Sequence, residues 1–366
     1  MTPAQRTAFA WSLVHACHVT SYDFCTYRPA EEGGRWIGGA LVIRETTLDP
    51  SPCIASERMN ELQFKTKRFS QSSGTLFGIA PSDMLEDVFG VLAIDNEQRM
   101  EHPSVHAGSF KQPKIIELVF LLSEHWCQDC STKYQAVEIL DRFMILHVEQ
   151  LYKSTTEKMD VTDMEMAWTS VKTSLCDRFL LFLVSCIQIA SKLNFLNHTI
   201  NVNLAIQFLR SAGHSYKKEE LLKSEIIVLK TLDFRINIQS PFMFIEVLLE
   251  VLGYNGCLLT LKDVLDMCVM VLDLVYLMRN PIYETLLKAT VDLQSQTSSQ
   301  RCSFLAVMED QMLLATGVIA ASTFIINQNS WNEVLKHLSD ITGNTVNAVF
   351  DISSSILKHS IGVTMP

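Results

Sequence analysis

An all-α fold built as two consecutive helical halves is what this sequence predicts, on three observations. From residue 76 onward, apolar side chains recur three and four residues apart with almost no two-residue alternation. Proline and glycine interrupt that pattern at intervals suited to single helices, at Pro113, Gly213 and Pro241. The helical rhythm before Pro241 then recurs after it, and 366 residues with 48% apolar content suffice for two ordinary domains.

Residues 1–75 contain Gly33, Gly34, Gly38, Gly39, Pro29, Pro50 and Pro52, with no sustained period. They read as a poorly ordered extension, with Met59 as a second available start and Lys65, Lys67 and Arg68 as a small basic cluster. Residues 76–112 carry a short amphipathic helix: Ser82 or Asp83 caps it, and Leu85, Val88, Phe89 and Leu92 share a face expected to pack on the domain that follows.

The first domain, 113–239, shows five helices. Pro113 suits a first helical position, and Ile115, Ile116, Leu118, Val119, Leu121 and Leu122 make that helix apolar around most of its circumference. A second helix from Ser131 repeats Tyr134, Val137, Leu140, Met144 and Val148, with Asp141 and Arg142 beside this stripe. The polar stretch 153–170 reads as an inserted loop before a very apolar third helix ending at Leu193. A fourth, about 201–212, stops at Gly213, and a fifth carries Leu221, Leu222, Ile226, Leu229 and Leu232. In the second domain, 240–366, helices are expected over 242–252, 261–278, 282–290, 308–327 and 331–359, with a loop at 294–300. Small residues in the apolar runs 182–191 and 314–322 suggest a duplication.

Composition narrows the function. Residues 76–366 hold 22 basic against 33 acidic side chains, which argues against direct wrapping of a phosphate backbone. A mean hydropathy of +0.17 suggests that a partner covers some apolar surface. Ten irregularly spaced cysteines, several inside apolar helices, suit a reducing compartment. The apolar stretches 179–190 and 312–326 are shorter than the roughly 18 residues of a membrane span. His125, Cys127 and Cys130 lack a second ligand pair at zinc spacing, so no metal is expected. Serine-hydrolase, zinc-protease, kinase and phosphate-loop motifs are missing from the sequence, and neither catalysis nor a cofactor is expected.

Asp141-Arg142-Phe143 on the second helix, Ala190-Ser191-Lys192 closing the third, and Glu225 with Leu229 and Lys230 on the fifth resemble a cyclin box. The resemblance implies a cyclin-like fold, with a diverged cyclin-like domain following the box. Longer strings, IIELVFLLSEHWC at 115–127, YQAVEILDRFM at 134–144, LLEVLGYNGCL at 248–258 and LDLVYL at 272–277, resemble the cyclin N-terminal domain-containing protein 1 family. That resemblance implies a non-enzymatic nuclear protein promoting crossover maturation in meiotic recombination. Its implied partners are crossover-pathway proteins and clamp-loader subunits, with nucleic acid met only indirectly. The alternative is a kinase-activating cyclin.

Site expectations follow from the resemblance. In kinase-activating cyclins the residues matching Lys192 and Glu225 bind the kinase; the plainer reading makes Lys192 a complement to its own helix end and Glu225 a solvated charge. Asp141 pairs with a cation at the start of the first helix, here Lys114 in place of arginine. The patch that docks Arg-x-Leu substrates is replaced by Pro113, Glu117 and Phe120, and the carboxylate opposes leucine docking. The acidic residues usual after Ala-Ser-Lys are here Leu193, Asn194 and Phe195.

Overall fold

The computed structural model describes residues 77–362 except 102, 103, 105, 157–160, 195–198, 257–259 and 291–297. The expectations for residues 1–75, including the basic cluster, lie outside the described residues. Every regular element among the described residues is helical.

Local chemistry sets most boundaries. Helix α1 spans Ser82–Glu101, and α2, Pro113–His125, begins on a proline whose missing N–H the first turn does not need. Helix α3 runs Cys130–Thr156 and α4 Val161–Leu193. Helix α5, Val202–Ser211, is capped by Asn201, which accepts from the Asn203 N–H, and Gly213 follows it at φ +83°. In α6, Lys218–Thr231, Glu220 accepts from the backbone N–H of Lys217 at 2.8 Å and closes the first turn. Pro241 opens α7, Pro241–Tyr254. Then come α8, Leu261–Leu277; α9, Arg279–Thr290; α10, Ser298–Glu309; α11, Gln311–Ile326; a 3-10 turn, Gln328–Ser330; α12, Trp331–Thr342; and α13, Val346–Ser360.

Four expectations are corrected. The described part of the stretch 153–170 is helical, because α3 extends to Thr156 and α4 begins at Val161. Between these two helices Tyr152 meets Trp168 edge to face at 5.1 Å between centroids. The segment 308–327 divides at Asp310, whose carboxylate accepts from the Leu313 N–H at 2.8 Å, and 331–359 divides at Gly343, φ +73°. Helix α1 is longer than expected and packs mainly on α7, α10 and α11 of the second half.

Polar contacts explain that choice. Asn96, buried on α1, donates to Asp310 Oδ1 at 2.9 Å and accepts from the Gln311 N–H at 2.8 Å, so α1 completes the N-terminus of α11. Glu250 of α7 accepts from the N–H groups of Ile79 and Ala80, both at 2.7 Å.

Each half is organised around one central helix. In the first half this is α4, which touches α2, α3, α5 and α6; in the second it is α11, enclosed by α7, α8, α12 and α13. Residues 166–193 of α4 are long and apolar enough to cross a membrane, but the most apolar window within them is 67% buried in the protein itself, as in a core helix.

Small residues let α11 approach its neighbours closely. A Cβ on Gly317 would fall 2.6 Å from Ile352 Cγ2 of α13. Gly317→Ala is therefore expected to lower stability by about 1–3 kcal/mol through overpacking. In an Ile352→Ala background the same change becomes neutral or stabilising, because alanine is the better helix former once the clash is gone. A double-mutant cycle by urea denaturation measures the sign change; the same loss in both backgrounds would rule out the clash.

Candidate partner-binding face

Helices α4 and α6 lie side by side, locked by a buried hydrogen bond of 2.9 Å between Ser185 Oγ and Ser224 Oγ. Two turns along α4, Lys192 reaches across to α6, and its Nζ stands 2.6 Å from Glu225 Oε1. Lys192 is 47% exposed at the side chain and Glu225 10%. Lys192 thus offers remaining N–H donors to solvent while Glu225 holds it in place. Leu222, three residues before Glu225, and Ile226, the residue after it, are exposed on α6. A charged head on paired rigid helices, with two exposed apolar side chains on the same helix as its carboxylate, suits docking of another protein.

The structure joins the two residues expected to act together. Glu225 is largely buried and not a solvated charge, while Lys192, in the last turn of α4, also bonds across to α6. Asn194, which stands where an acidic residue is usual, turns inward. Its amide donates to Thr132 Oγ1, Gln135 Oε1 and the Ala190 carbonyl at 3.1, 2.9 and 3.0 Å, tying the end of α4 to α3.

The docking patch on α2 is closed by other contacts. Pro113 and Glu117 are exposed, but Phe120 is half-buried, edge-on to Tyr134 and Tyr276 at 5.8 and 6.1 Å. Lys133 lies 4.5 Å above the Phe120 ring and bonds Asp273 at 2.6 Å. A leucine entering here would meet the Glu117 carboxylate and displace the Lys133 pair. Arg-x-Leu peptides are expected to give no saturable anisotropy change with the full chain; saturable binding lost on Phe120→Ala would show the patch to be open.

The pairing anticipated between Lys114 and Asp141 is corrected. Asp141 Oδ2 accepts from the Gly108 N–H at 2.7 Å and Oδ1 from the Phe110 N–H at 2.8 Å. The buried lysine is Lys111, in the turn that crosses α3 ahead of Pro113, and its Nζ stands 2.7 Å from both carboxylate oxygens of Glu138. Lys114 is only half-buried, one residue into α2 beyond that turn. Tyr276 of α8 donates to Glu138 Oε1 at 2.8 Å, so the cluster joins the two halves.

Electrostatics separates the two acids. Burial pushes the Asp141 carboxyl up to about 6, although Lys111 and the two backbone donors pull the other way. Burial also acts on Glu138, but Lys111, Arg99 and the bonds from Lys111 and Tyr276 outweigh it and hold that carboxyl below the usual range. In the sequence Asp141 stands out beside an apolar stripe, whereas Glu138, one turn earlier on the same helix, was missed, although its spacing from Asp141 was the available signal. Nothing nearby in sequence marked Lys111 or Tyr276 as partners.

Among the described residues no group of three or more His, Cys, Asp or Glu side chains is arranged to hold a metal ion.

Residues 95–237 match the family model described as cyclin, N-terminal domain. The chain is 43% identical over 300 residues to "Cyclin N-terminal domain-containing protein 1" of Mus musculus, covering 82% of this chain and 90% of that relative. It is 44% identical over 291 residues to the protein of the same name from Homo sapiens, covering 79% and 88%.

Proposed function

This chain belongs to the cyclin N-terminal domain-containing protein 1 family, and on that premise we propose that it is a non-enzymatic nuclear scaffold promoting crossover maturation in meiotic recombination. It works by holding partner proteins, among them crossover-pathway factors and clamp-loader subunits, and meets DNA through them.

The observation that carries this reading is the Lys192–Glu225 pair, with Leu222 and Ile226 exposed on the same helix as Glu225. It is a built protein-binding face that combines fixed charge with apolar area. A charge-assisted bond from Lys192 to a partner carbonyl or carboxylate contributes about 1.5–3 kcal/mol when desolvated. The closed patch around Phe120 supports a scaffold over a substrate-recruiting cyclin, because Glu117 and the Lys133–Asp273 pair stand where a substrate leucine would enter.

The second reading, a kinase-activating cyclin, is favoured by the retention of both charges. Exchanging them, Lys192→Glu with Glu225→Lys, preserves an opposite-charge pair inside the protein while inverting what the face presents outward. The exchange therefore tests binding with little effect on folding. Native and exchanged full chains are applied to meiotic-tissue extract, and the captured proteins are identified and assayed for phosphoryl transfer. Recombination proteins without kinase activity are the expected result. Capture of an active cyclin-dependent kinase by the native chain, released by the exchange, would replace the scaffold with the cyclin reading.

A further inference from the structure

Helix α1 buries Leu92 and Asn96 and packs Phe89 against the core, and this side meets the second half. A different side of the helix carries Met84, Val88, Val91 and Ile94, which are 58%, 40%, 62% and 58% exposed. The first three fall four and three residues apart, in one line, and Ile94 continues the line at the next turn. At about 1.5 Å per residue the stripe is about 15 Å long, three turns of a facing helix. Stripes of this kind mark interaction sites far more often than chance exposure of single apolar residues.

Charge says what covers it. Asp83, Glu86, Asp87, Glu97 and Glu101 of α1 are exposed, while the single basic residue, Arg99, is bonded to Asp95 at 3.2 Å and to the Gln239 carbonyl at 2.9 Å. A second copy of α1 would bring like charges together, and an anionic lipid surface would be repelled for the same reason. A helix with an apolar ridge bordered by lysine or arginine satisfies both features at once.

We propose that the acid-bordered stripe Met84, Val88, Val91 and Ile94 is a docking surface for a basic amphipathic helix of a partner protein. It is separate from the α4/α6 face and does not depend on the function assigned to that face. Apolar contact along the ridge gives affinity, and the surrounding acids select a basic partner and its orientation.

The test uses the full chain and an 18-residue fluorescent peptide with leucines at i, i+3, i+4 and i+7 and lysines elsewhere. A permuted peptide of the same composition, without the apolar face, controls for simple charge attraction. Fluorescence anisotropy is expected to show at least tenfold tighter binding of the ordered peptide. Val91→Glu and Met84→Glu, both at exposed positions, are each expected to weaken it at least tenfold, with thermal unfolding unchanged. Asp83→Lys with Asp87→Lys is expected to weaken it comparably at 50 mM NaCl and much less at 500 mM, where screening is strong. Equal binding of both peptides, or indifference to Val91→Glu, would overturn the proposal. A photo-reactive side chain in place of Val91 names the occupant directly. Cross-linking to the ordered peptide supports the proposal; cross-linking to residues 1–76 of the same chain, or to a second copy, overturns it.

Discussion

Glu138→Ala is expected to destabilise the protein by about 3–5 kcal/mol, the range for removing one member of a buried ion pair. The loss has two parts. Lys111 keeps a positive charge in the interior with no carboxylate 2.7 Å away, and the Tyr276 hydroxyl loses the acceptor it holds at 2.8 Å. Because Glu138 belongs to α3, Lys111 to the turn before α2 and Tyr276 to α8, the damage crosses from one half of the molecule to the other. Lys111→Ala is expected to fall in the same range. Replacing both charges with apolar residues of similar size, Lys111→Met with Glu138→Leu, is expected to be less harmful than either single change, since no charge remains buried alone. Tyr276→Phe should cost about 1.5–3 kcal/mol, the value of one hydrogen bond to a charged acceptor. Urea denaturation of the full chain reads all four. A loss below 1 kcal/mol for Glu138→Ala would mean that water reaches the cluster.

That cluster marks the limit of what was legible in the sequence. The five helices from Pro113 to Thr231 followed from spacing and capping, because each depends on residues three or four apart. The Lys192–Glu225 pair was expected on one face, and the structure joins the two residues there. Contacts between residues far apart in sequence were not legible. The side of α1 that packs, and the half it packs against, depend on Asn96 meeting Asp310 across 214 positions. Choosing Lys111 over Lys114 as the buried cation required knowing that the turn before Pro113 passes over α3. Polarity misled at 153–170: Thr155 there returns its hydroxyl to the Leu151 carbonyl and continues the helix instead of leaving it.

Asp141→Ala is expected to rank next, with a loss of about 2–5 kcal/mol, since it orphans two buried N–H groups at about 1–3 kcal/mol each. Those donors belong to Gly108 and Phe110, so the turn carrying Lys111 toward Glu138 loses its anchor. The effects of Asp141 and Glu138 substitutions are therefore expected to be less than additive. Acid titration distinguishes the two residues. The Asp141 carboxyl is pushed up to about 6 in the folded protein, against about 3.9 when unfolded, so its protonated form is favoured by folding. This contribution is fully present below about pH 4 and is lost as pH rises through 6. Glu138 runs the other way: its depressed carboxyl stabilises the protein above the ordinary carboxylate range and loses that effect as pH falls through its lowered value. Between pH 4.5 and 6, then, the stability difference between the native chain and Asp141→Asn should widen as the solution becomes more acid. The same comparison with Glu138→Gln should be flat in that interval and narrow only at lower pH. Melting temperatures of the three proteins from pH 4 to 8 measure both trends. A difference for Asp141→Asn that stays constant across the interval would place its titration outside it and leave the two backbone bonds as its whole contribution.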